Sequence, residues 1–175
     1  MTINAVAQPG YLATTRTPGP SGAVMDSLLR PNEEAAVLRL CSGDDDMPKQ
    51  VVLVPGIATP PSPFNHVVRA GDFLFVSSQL SVNLATHSLV SGDIVSQTRQ
   101  ALENLKLLLE GCGASLEDVV KTTVYMRDVG EFGAMNQVYG EYFQKGTAPT
   151  RVTIQAPSPL PGINVEIDAV AHFPA

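Results

Sequence analysis

The pattern of apolar and polar positions becomes regular only after about residue 50. From there, short runs rich in β-branched and aromatic residues predict strands, and two longer segments with apolar residues every three or four positions predict helices. Glycine and proline separate these segments, as they do in turns. The predicted strands are 51–54, 66–69, 73–80, 119–129, 151–155 and 163–173, and the predicted helices are 93–112 and 131–144.

This order, β-β-β-α-β-α-β-β, predicts an α+β domain over residues 51–175. Two helices can cover only one face of a sheet of this size, so the other face must meet water or a partner. Alternation along the strands assigns a mixed aromatic, hydroxylic and charged set to that second face. Val120 is assigned to the helix-covered face. The second face is expected to carry Phe73, Phe75, Ser77, Gln79, Tyr125, Arg151, Thr153 and Glu166.

Residues 1–50 differ from the rest. They contain scattered proline and glycine, an apolar patch and the acidic run 44–46. We interpret them as a partly ordered N-terminal extension rather than a domain.

Composition narrows the function classes. Eleven basic and seventeen acidic residues among 175 give a net charge of -6. This argues against a nucleic-acid partner, which needs clustered Lys and Arg, and against a polybasic membrane anchor. No apolar run approaches the ~20 residues of a membrane span, and no signal peptide is recognisable. A cytoplasmic protein is the expectation.

Metal chemistry is not predicted. The three histidines, His66, His87 and His172, have no ligand spacing, and the two cysteines, Cys41 and Cys112, form neither a disulfide framework nor a zinc motif. Cys112 ends the first helix on its apolar side and is expected to pack against the core.

Several segments together resemble the Rid family of reactive-intermediate (imine and enamine) deaminases, also called the YjgF family. No single segment is diagnostic, but their order and spacing match over roughly residues 51–175. The segments are FVSSQ (75–79), QTRQALENL (97–105), DVVKTTVYM (118–126), NQVYGEYF (136–143), APTR (148–151) and VEIDAVA (165–171).

The resemblance implies a chorismate-mutase-like fold and a homotrimer. In that assembly the sheets form an inner barrel, the helices lie outside, and ligand clefts lie between subunits. It also implies hydrolysis of a 2-imino or enamine acid to a 2-keto acid and ammonia, with no metal or organic cofactor.

The same resemblance implies roles for particular residues. Arg151 stands at the position of the family's carboxylate-binding Arg, whose planar fork suits a carboxylate. Glu166, fifteen residues later, stands at the acidic position that would orient and deprotonate water. Ser77 matches a hydroxyl that lines the cleft, and the backbone near Thr153 borders the carboxylate. Asn136 matches a family Asn, for which a structural role is favoured.

Two positions depart from the family pattern. Phe64 keeps an aromatic wall where many deaminating members carry Tyr, but it lacks the hydroxyl. Ser78 replaces the Gly of Ser-Gly-Gln. These changes indicate a specialised member acting on a larger imine or enamine.

Three alternatives stay open at this stage. One is a pathway-specific hydrolase or tautomerase acting on a bulkier carboxylate. Another is a carboxylate-binding or chaperone-like protein without catalysis. Endoribonuclease activity, attributed to some relatives, is the least favoured because the chain is acidic.

Overall fold

A computed structural model of the chain describes residues 49–174, and the predicted extension lies almost entirely outside this range. The predicted element order is confirmed. The strands are β1 (Gln50–Val52), β2 (Val67–Ala70), β3 (Phe73–Gln79), β4 (Val119–Met126), β5 (Thr150–Gln155) and β6 (Val165–His172), and the helices are α1 (Ile94–Gly111) and α2 (Phe132–Tyr142).

The six strands form one mixed sheet in the order β1-β2-β3-β6-β4-β5. Every neighbouring pair is antiparallel except β4 and β5, which are parallel and joined through α2. Such a connection between parallel strands normally needs a helical crossover. Because β5 is the last strand in this order, it is an edge strand.

Both helices lie on the same face of the sheet, as predicted. The leucines of α1 and the inward-facing residues of β3, β4 and β6 form one apolar core. Leu102, Leu105 and Ile167 have no measurable exposure. Burying each side chain of this size contributes about 1.5–3 kcal/mol. The fold class, α+β with helices on one side of a mixed sheet, is thus confirmed for the single chain.

Local sequence signals fix both ends of α1. The Asp93 carboxylate accepts a hydrogen bond from the Ser96 backbone N–H (2.9 Å), which caps the N-terminus. At the other end Gly113 adopts a left-handed conformation (φ +83°). The N–H of Ala114 then donates to Leu109 O, and that of Gly113 to Glu110 O, which satisfies carbonyls that the helix leaves free.

Two β-bulges correct the predicted strand alternation. In β3, Val76 pairs with Ala169 while Gln79 pairs with Ile167, so β3 contains one extra residue. Gln79 is therefore buried on the helix-covered face, not on the open face. A similar shift follows Val119 in β4 and leaves Val120 exposed, whereas we expected it to be covered.

The register of β5 also corrects the prediction. Arg151 pairs with Thr122 and Thr153 with Val124, and both of these β4 residues are fully buried on the helix side. Parallel partners point to the same face, so Arg151 and Thr153 lie on the helix-covered face. Val152 and Ile154 point to the open face instead, with exposures of 49% and 42%. The prediction assumed that the more apolar side chains of each strand pack under the helices, but in this short edge strand those side chains are exposed.

No helix within residues 49–174 has the length and apolar character needed to cross a membrane.

Candidate functional site

Arg151 lies between β5 and one stripe of α2. Its Nη2 donates to Asn136 Oδ1 at 2.8 Å. The guanidinium carbon lies 4.5 Å from the centroid of the Tyr139 ring and 5.6 Å from that of Phe132, distances typical of cation–π contacts. Phe132, Asn136 and Tyr139 are spaced by four and three residues, so they share one face of the helix. Asn136 thus holds the candidate binding residue directly.

The charge of Arg151 is not neutralised by any carboxylate of residues 49–174. A guanidinium carries five N–H donors, and the only hydrogen bond that Arg151 makes to these residues is the one to Asn136. Asparagine and two aromatic rings hold the group through neutral contacts. The remaining donors are therefore available for an external carboxylate, which an Arg fork binds with two parallel hydrogen bonds.

Glu166 lies on the other face of the sheet. It is the cross-strand partner of Tyr125 in β4, and its carboxylate makes no hydrogen bond to the described part of the chain. Two positions along β6, Asp168 accepts hydrogen bonds from the Tyr125 hydroxyl (2.9 Å) and from the Thr123 backbone N–H (3.1 Å). The hydrogen bond to Asp168 is the main reason that the pKa of Tyr125 is raised. Glu166 remains free to contact a ligand.

Arg151 and Glu166 do not meet within one chain. Their β4 partners, Thr122 and Tyr125, are three residues apart, and β4 separates the two strands. Their Cα atoms are therefore offset by roughly 10 Å along the strands and roughly 10 Å across them. Because the side chains also point to opposite faces, a site that uses both needs two copies of the chain.

Phe64 and Ser77 are close to the loop that precedes β2. The Phe64 ring is exposed (48%) and meets His66 edge-on at 6.0 Å between centroids. The Ser77 backbone N–H donates to the His66 carbonyl at 2.9 Å. Both residues thus border the same loop, whereas Arg151 lies at the opposite edge of the sheet, on β5.

Thr153, two positions after Arg151 on the same face, has a buried hydroxyl without a hydrogen-bond partner among residues 49–174. A buried hydroxyl without a partner is unusual in a folded protein. It is the polar group of β5 that follows Arg151 on the covered side of the strand.

Sequence reasoning missed the role of Tyr139 and Phe132. Both belong to the apolar positions that predict α2, and the structure buries Tyr139 but leaves Phe132 39% exposed. The sequence contained one part of the signal, the spacing of Phe132, Asn136 and Tyr139. The other part, the parallel register of β4 and β5 that brings Arg151 to these residues, is a tertiary feature that the sequence pattern does not provide.

Two residues of the family-like segment 97–105 have a structural role. The Gln97 amide donates to Gly92 O (3.0 Å) and Gly162 O (2.8 Å) and accepts from the Asn164 N–H (2.8 Å). The Asn104 amide donates to the carbonyls of the chain leaving β3. These buried amides attach α1 to two loops.

Within residues 49–174 no group of three or more His, Cys, Asp or Glu side chains is arranged to hold a metal ion.

Fold and candidate site together define a two-layer α+β protein with an arginine at a sheet edge that has no carboxylate partner among residues 49–174. The family model described as Endoribonuclease L-PSP matches residues 57–173. The chain belongs to this family, which includes the Rid and RutC proteins. The resemblance drawn from the sequence is thus confirmed.

Individual relatives match over the same part of the chain. A RutC family protein from Pyrococcus horikoshii is 40% identical over 124 residues, which cover 71% of this chain and 98% of that protein. RidA from the Antarctic bacterium Psychrobacter sp. has 27% identity and a TM-score of 0.64, covering 71% of this chain and 99% of its own. Escherichia coli TdcF with bound serine has 29% identity and a TM-score of 0.63, covering 70% and 98%.

Proposed function

We propose that the protein hydrolyses 2-imino or enamine acids to 2-keto acids and ammonia, as a specialised Rid family member. The observation that carries this proposal is Arg151, whose guanidinium is held by neutral groups and has no carboxylate partner within residues 49–174. A fixed cation with unused donors suits the carboxylate that every 2-imino acid carries. The serine bound to the relative TdcF, itself an α-amino acid, is consistent with this ligand class.

The chemistry needs an activated water and a route for two protons. Glu166 takes a proton from water while the oxygen attacks the C2 carbon of the iminium, and the C=N electron pair moves to nitrogen. Glu166 first returns this proton to the carbinolamine nitrogen. The hydroxyl then gives its proton to the Glu166 carboxylate as the C=O bond forms and the C–N bond breaks, with the C–N electron pair leaving on ammonia, and Glu166 passes this second proton to ammonia or solvent. Positioned acid–base catalysis of this kind contributes about 10²–10⁴ in rate.

The proposed site lies between copies of the chain, in a homotrimer. Arg151 and Glu166 occupy opposite faces of one sheet, so the pair is assembled when the β5 edge of one copy approaches the open face of another. The exposed aromatic and aliphatic side chains of that face, among them Phe75 and Ile154, support such a contact. Each chain then supplies Arg151 to one cleft and Glu166 to another.

The direct test generates 2-aminoacrylate or 2-iminobutyrate enzymatically and measures keto-acid release. We expect clear acceleration by the wild-type protein. Arg151→Ala should raise KM most, because it removes binding shared by substrate and transition state, and Glu166→Gln should lower kcat. No acceleration with any of several imino acids by an intact oligomer would contradict the proposal.

A subunit-mixing experiment tests the shared cleft. Arg151→Ala and Glu166→Gln chains, each of low activity alone at a substrate concentration near the wild-type KM, are unfolded together and refolded as mixed oligomers. Some clefts then combine an intact Arg151 with an intact Glu166 from different chains, so activity should return to a fraction of wild type. Oligomers of each variant refolded alone are the control. If mixing restores nothing although hybrids form, the two residues do not act across the interface.

A second candidate, carboxylate binding without catalysis, is favoured by Phe64, which has no hydroxyl to contribute to the reaction. In that case Arg151→Ala would abolish binding of a small keto acid, and Glu166→Gln would change nothing measurable.

A further inference from the structure

We propose that Tyr139 is a positioning residue for Arg151, with Thr122 fixing the orientation of its ring. This inference rests on the proposed function in one respect, namely that Arg151 binds the substrate's carboxylate. Tyr139 itself touches neither the carboxylate nor the reacting carbon. It acts by holding the guanidinium in one orientation.

The contact geometry supports this role. The Arg151 guanidinium carbon lies 4.5 Å from the Tyr139 ring centroid, closer than to Phe132 at 5.6 Å. Asn136 fixes one end of the guanidinium by a single hydrogen bond, which alone leaves the group free to pivot. The face of an aromatic ring restrains the plane of a cation stacked on it. Asn136 and Tyr139 together therefore define both direction and plane.

The Tyr139 ring is itself held at both ends. Its hydroxyl and Thr122 Oγ1 are 2.8 Å apart and form a buried hydrogen bond. Its other contact is with Phe143, at 4.7 Å between ring centroids. Thr122 is the β4 partner of Arg151, so one strand position anchors the ring and lies beside the arginine.

A purely structural role would also explain a buried Tyr, and the two roles make different predictions. If Tyr139 only fills space, its loss lowers stability and leaves carboxylate affinity unchanged in the folded fraction. If it positions Arg151, affinity falls even when the protein remains folded. Cation–π contacts contribute about 0.5–2 kcal/mol, so the expected effect is a roughly three- to thirtyfold change.

The variants are Tyr139→Leu, Tyr139→Phe and Thr122→Val, with Tyr142→Phe as the control. Tyr142 is on the same helix, and its hydroxyl donates to Glu103 at 2.6 Å, away from Arg151. Each full-length protein is checked for folding by its melting temperature. Pyruvate affinity is measured by calorimetry, imine hydrolysis gives KM and kcat, and NMR reports the side-chain N–H signals of Arg151.

We expect Tyr139→Leu to weaken pyruvate binding and raise KM by roughly three- to thirtyfold, with kcat within about twofold. Tyr139→Phe keeps the ring face but loses the hydrogen bond to Thr122, so it should give an intermediate loss of affinity. Thr122→Val should give an intermediate loss, and Tyr142→Phe none. The Arg151 N–H signals should lose their upfield ring-current shift in Tyr139→Leu, shift partly in Thr122→Val, and stay unchanged in Tyr142→Phe.

Unchanged pyruvate affinity and unchanged Arg151 signals in folded Tyr139→Leu would overturn the inference. If Tyr139→Leu does not fold, equal affinities of wild type, Tyr139→Phe and Thr122→Val, with unchanged Arg151 signals in Thr122→Val, would overturn it. Failure of the proposed function looks different. The wild-type protein would then neither bind pyruvate nor hydrolyse imines, while the NMR signals would still report whether Tyr139 restrains Arg151.

Discussion

At the scale of single residues, two arginines with different partners show what makes a binding group. Arg99 donates to both oxygens of Glu141, at 2.6 and 3.0 Å, so its charge is neutralised within the chain. Arg151 has an amide and two aromatic rings instead. An ion pair neutralises the charge of a guanidinium, whereas neutral partners fix its position and leave its charge available. We therefore expect anion affinity at Arg151 and none at Arg99.

Cys112 provides a prediction about thiol reactivity. Burial raises the pKa of the thiol to about 11, although Arg69 partly opposes the shift. Only the thiolate is nucleophilic, so alkylation should be slow at neutral pH and should accelerate up to about pH 11. In a Cys41→Ser background, mass spectrometry after iodoacetamide treatment follows Cys112 alone. A pH–rate curve with a midpoint near 8.5, like that of a free cysteine, would contradict this prediction.

His66 predicts the direction of a pH effect on stability. His66 and His87 both donate from Nε2 to the Ala58 carbonyl, at 3.3 and 3.2 Å. Burial is the largest cause of a lowered His66 pKa, and nearby His87 lowers it further. The folded state therefore disfavours protonation of His66 relative to the unfolded chain. Its contribution to stability is complete above pH 6.5 and is lost as the pH falls below that value.

Urea unfolding at several pH values checks the His66 effect. The free energy of unfolding should fall more steeply between pH 7 and pH 5 in the wild type than in His66→Gln, which cannot take up a proton. Lys106→Gln, at an exposed ion pair on α1, is the control and should keep the wild-type slope. Equal slopes in wild type and His66→Gln would mean that His66 does not contribute.

At the scale of elements, α1 is connected to the rest of the domain by two buried amides as well as by its leucines. Gln97 joins the start of α1 to the loop before β6, and Asn104 joins its middle to the loop after β3. Backbone groups in loops lack the regular partners that helices and strands provide. The amides supply these partners, which explains why polar residues occupy positions on the apolar side of a helix.

Gln97→Leu should therefore destabilise the domain although it adds apolar surface. It leaves the carbonyls of Gly92 and Gly162 and the N–H of Asn164 without their side-chain partner. Each lost hydrogen bond costs about 0.5–1.5 kcal/mol, so the loss of three predicts a decrease of about 1.5–4.5 kcal/mol in the free energy of unfolding, measured with denaturant. Gln137→Leu, at an exposed position of α2 whose side chain makes no hydrogen bond to residues 49–174, should cost far less. Similar losses for the two variants would contradict this account.

The order of the elements could be predicted from sequence, but the face that β5 presents could not. Helix and strand periodicities are local, so the elements and their order followed from them. The predicted assignment of side chains to the two faces of the sheet was wrong in two situations. One is at the bulges that displace Gln79 and Val120, and the other is in the edge strand that carries Arg151. An edge strand has a neighbour on one side only, and its alternation does not reveal which set a helix will cover.

At the scale of the whole molecule, the open face of the sheet carries large apolar side chains that the single chain leaves exposed to solvent. Phe73, Phe75, Val152 and Ile154 are each more than 40% exposed there. Several large apolar side chains exposed on one face of a sheet indicate an interface. Between these residues lies the polar group formed by Tyr125, Glu166 and Asp168, so an interface on this face would enclose a carboxylate in water-poor surroundings.

A charge placed on this face should prevent assembly. Phe75→Glu places a charge at the centre of the open face and should shift the protein from oligomer to monomer in light-scattering measurements. The helical circular dichroism should persist, because the side chain is 48% exposed in the single chain and lies outside the core. Leu107→Glu is the matched control, since Leu107 is 47% exposed but belongs to α1 on the helix layer. If the open face is the interface, Phe75→Glu abolishes assembly together with imine hydrolysis, and Leu107→Glu preserves both. A monomeric wild type would mean that Arg151 and Glu166 never share a cleft and that the proposed mechanism is wrong, whereas a Phe75→Glu variant that remains oligomeric and active would mean that Phe75 lies outside the interface.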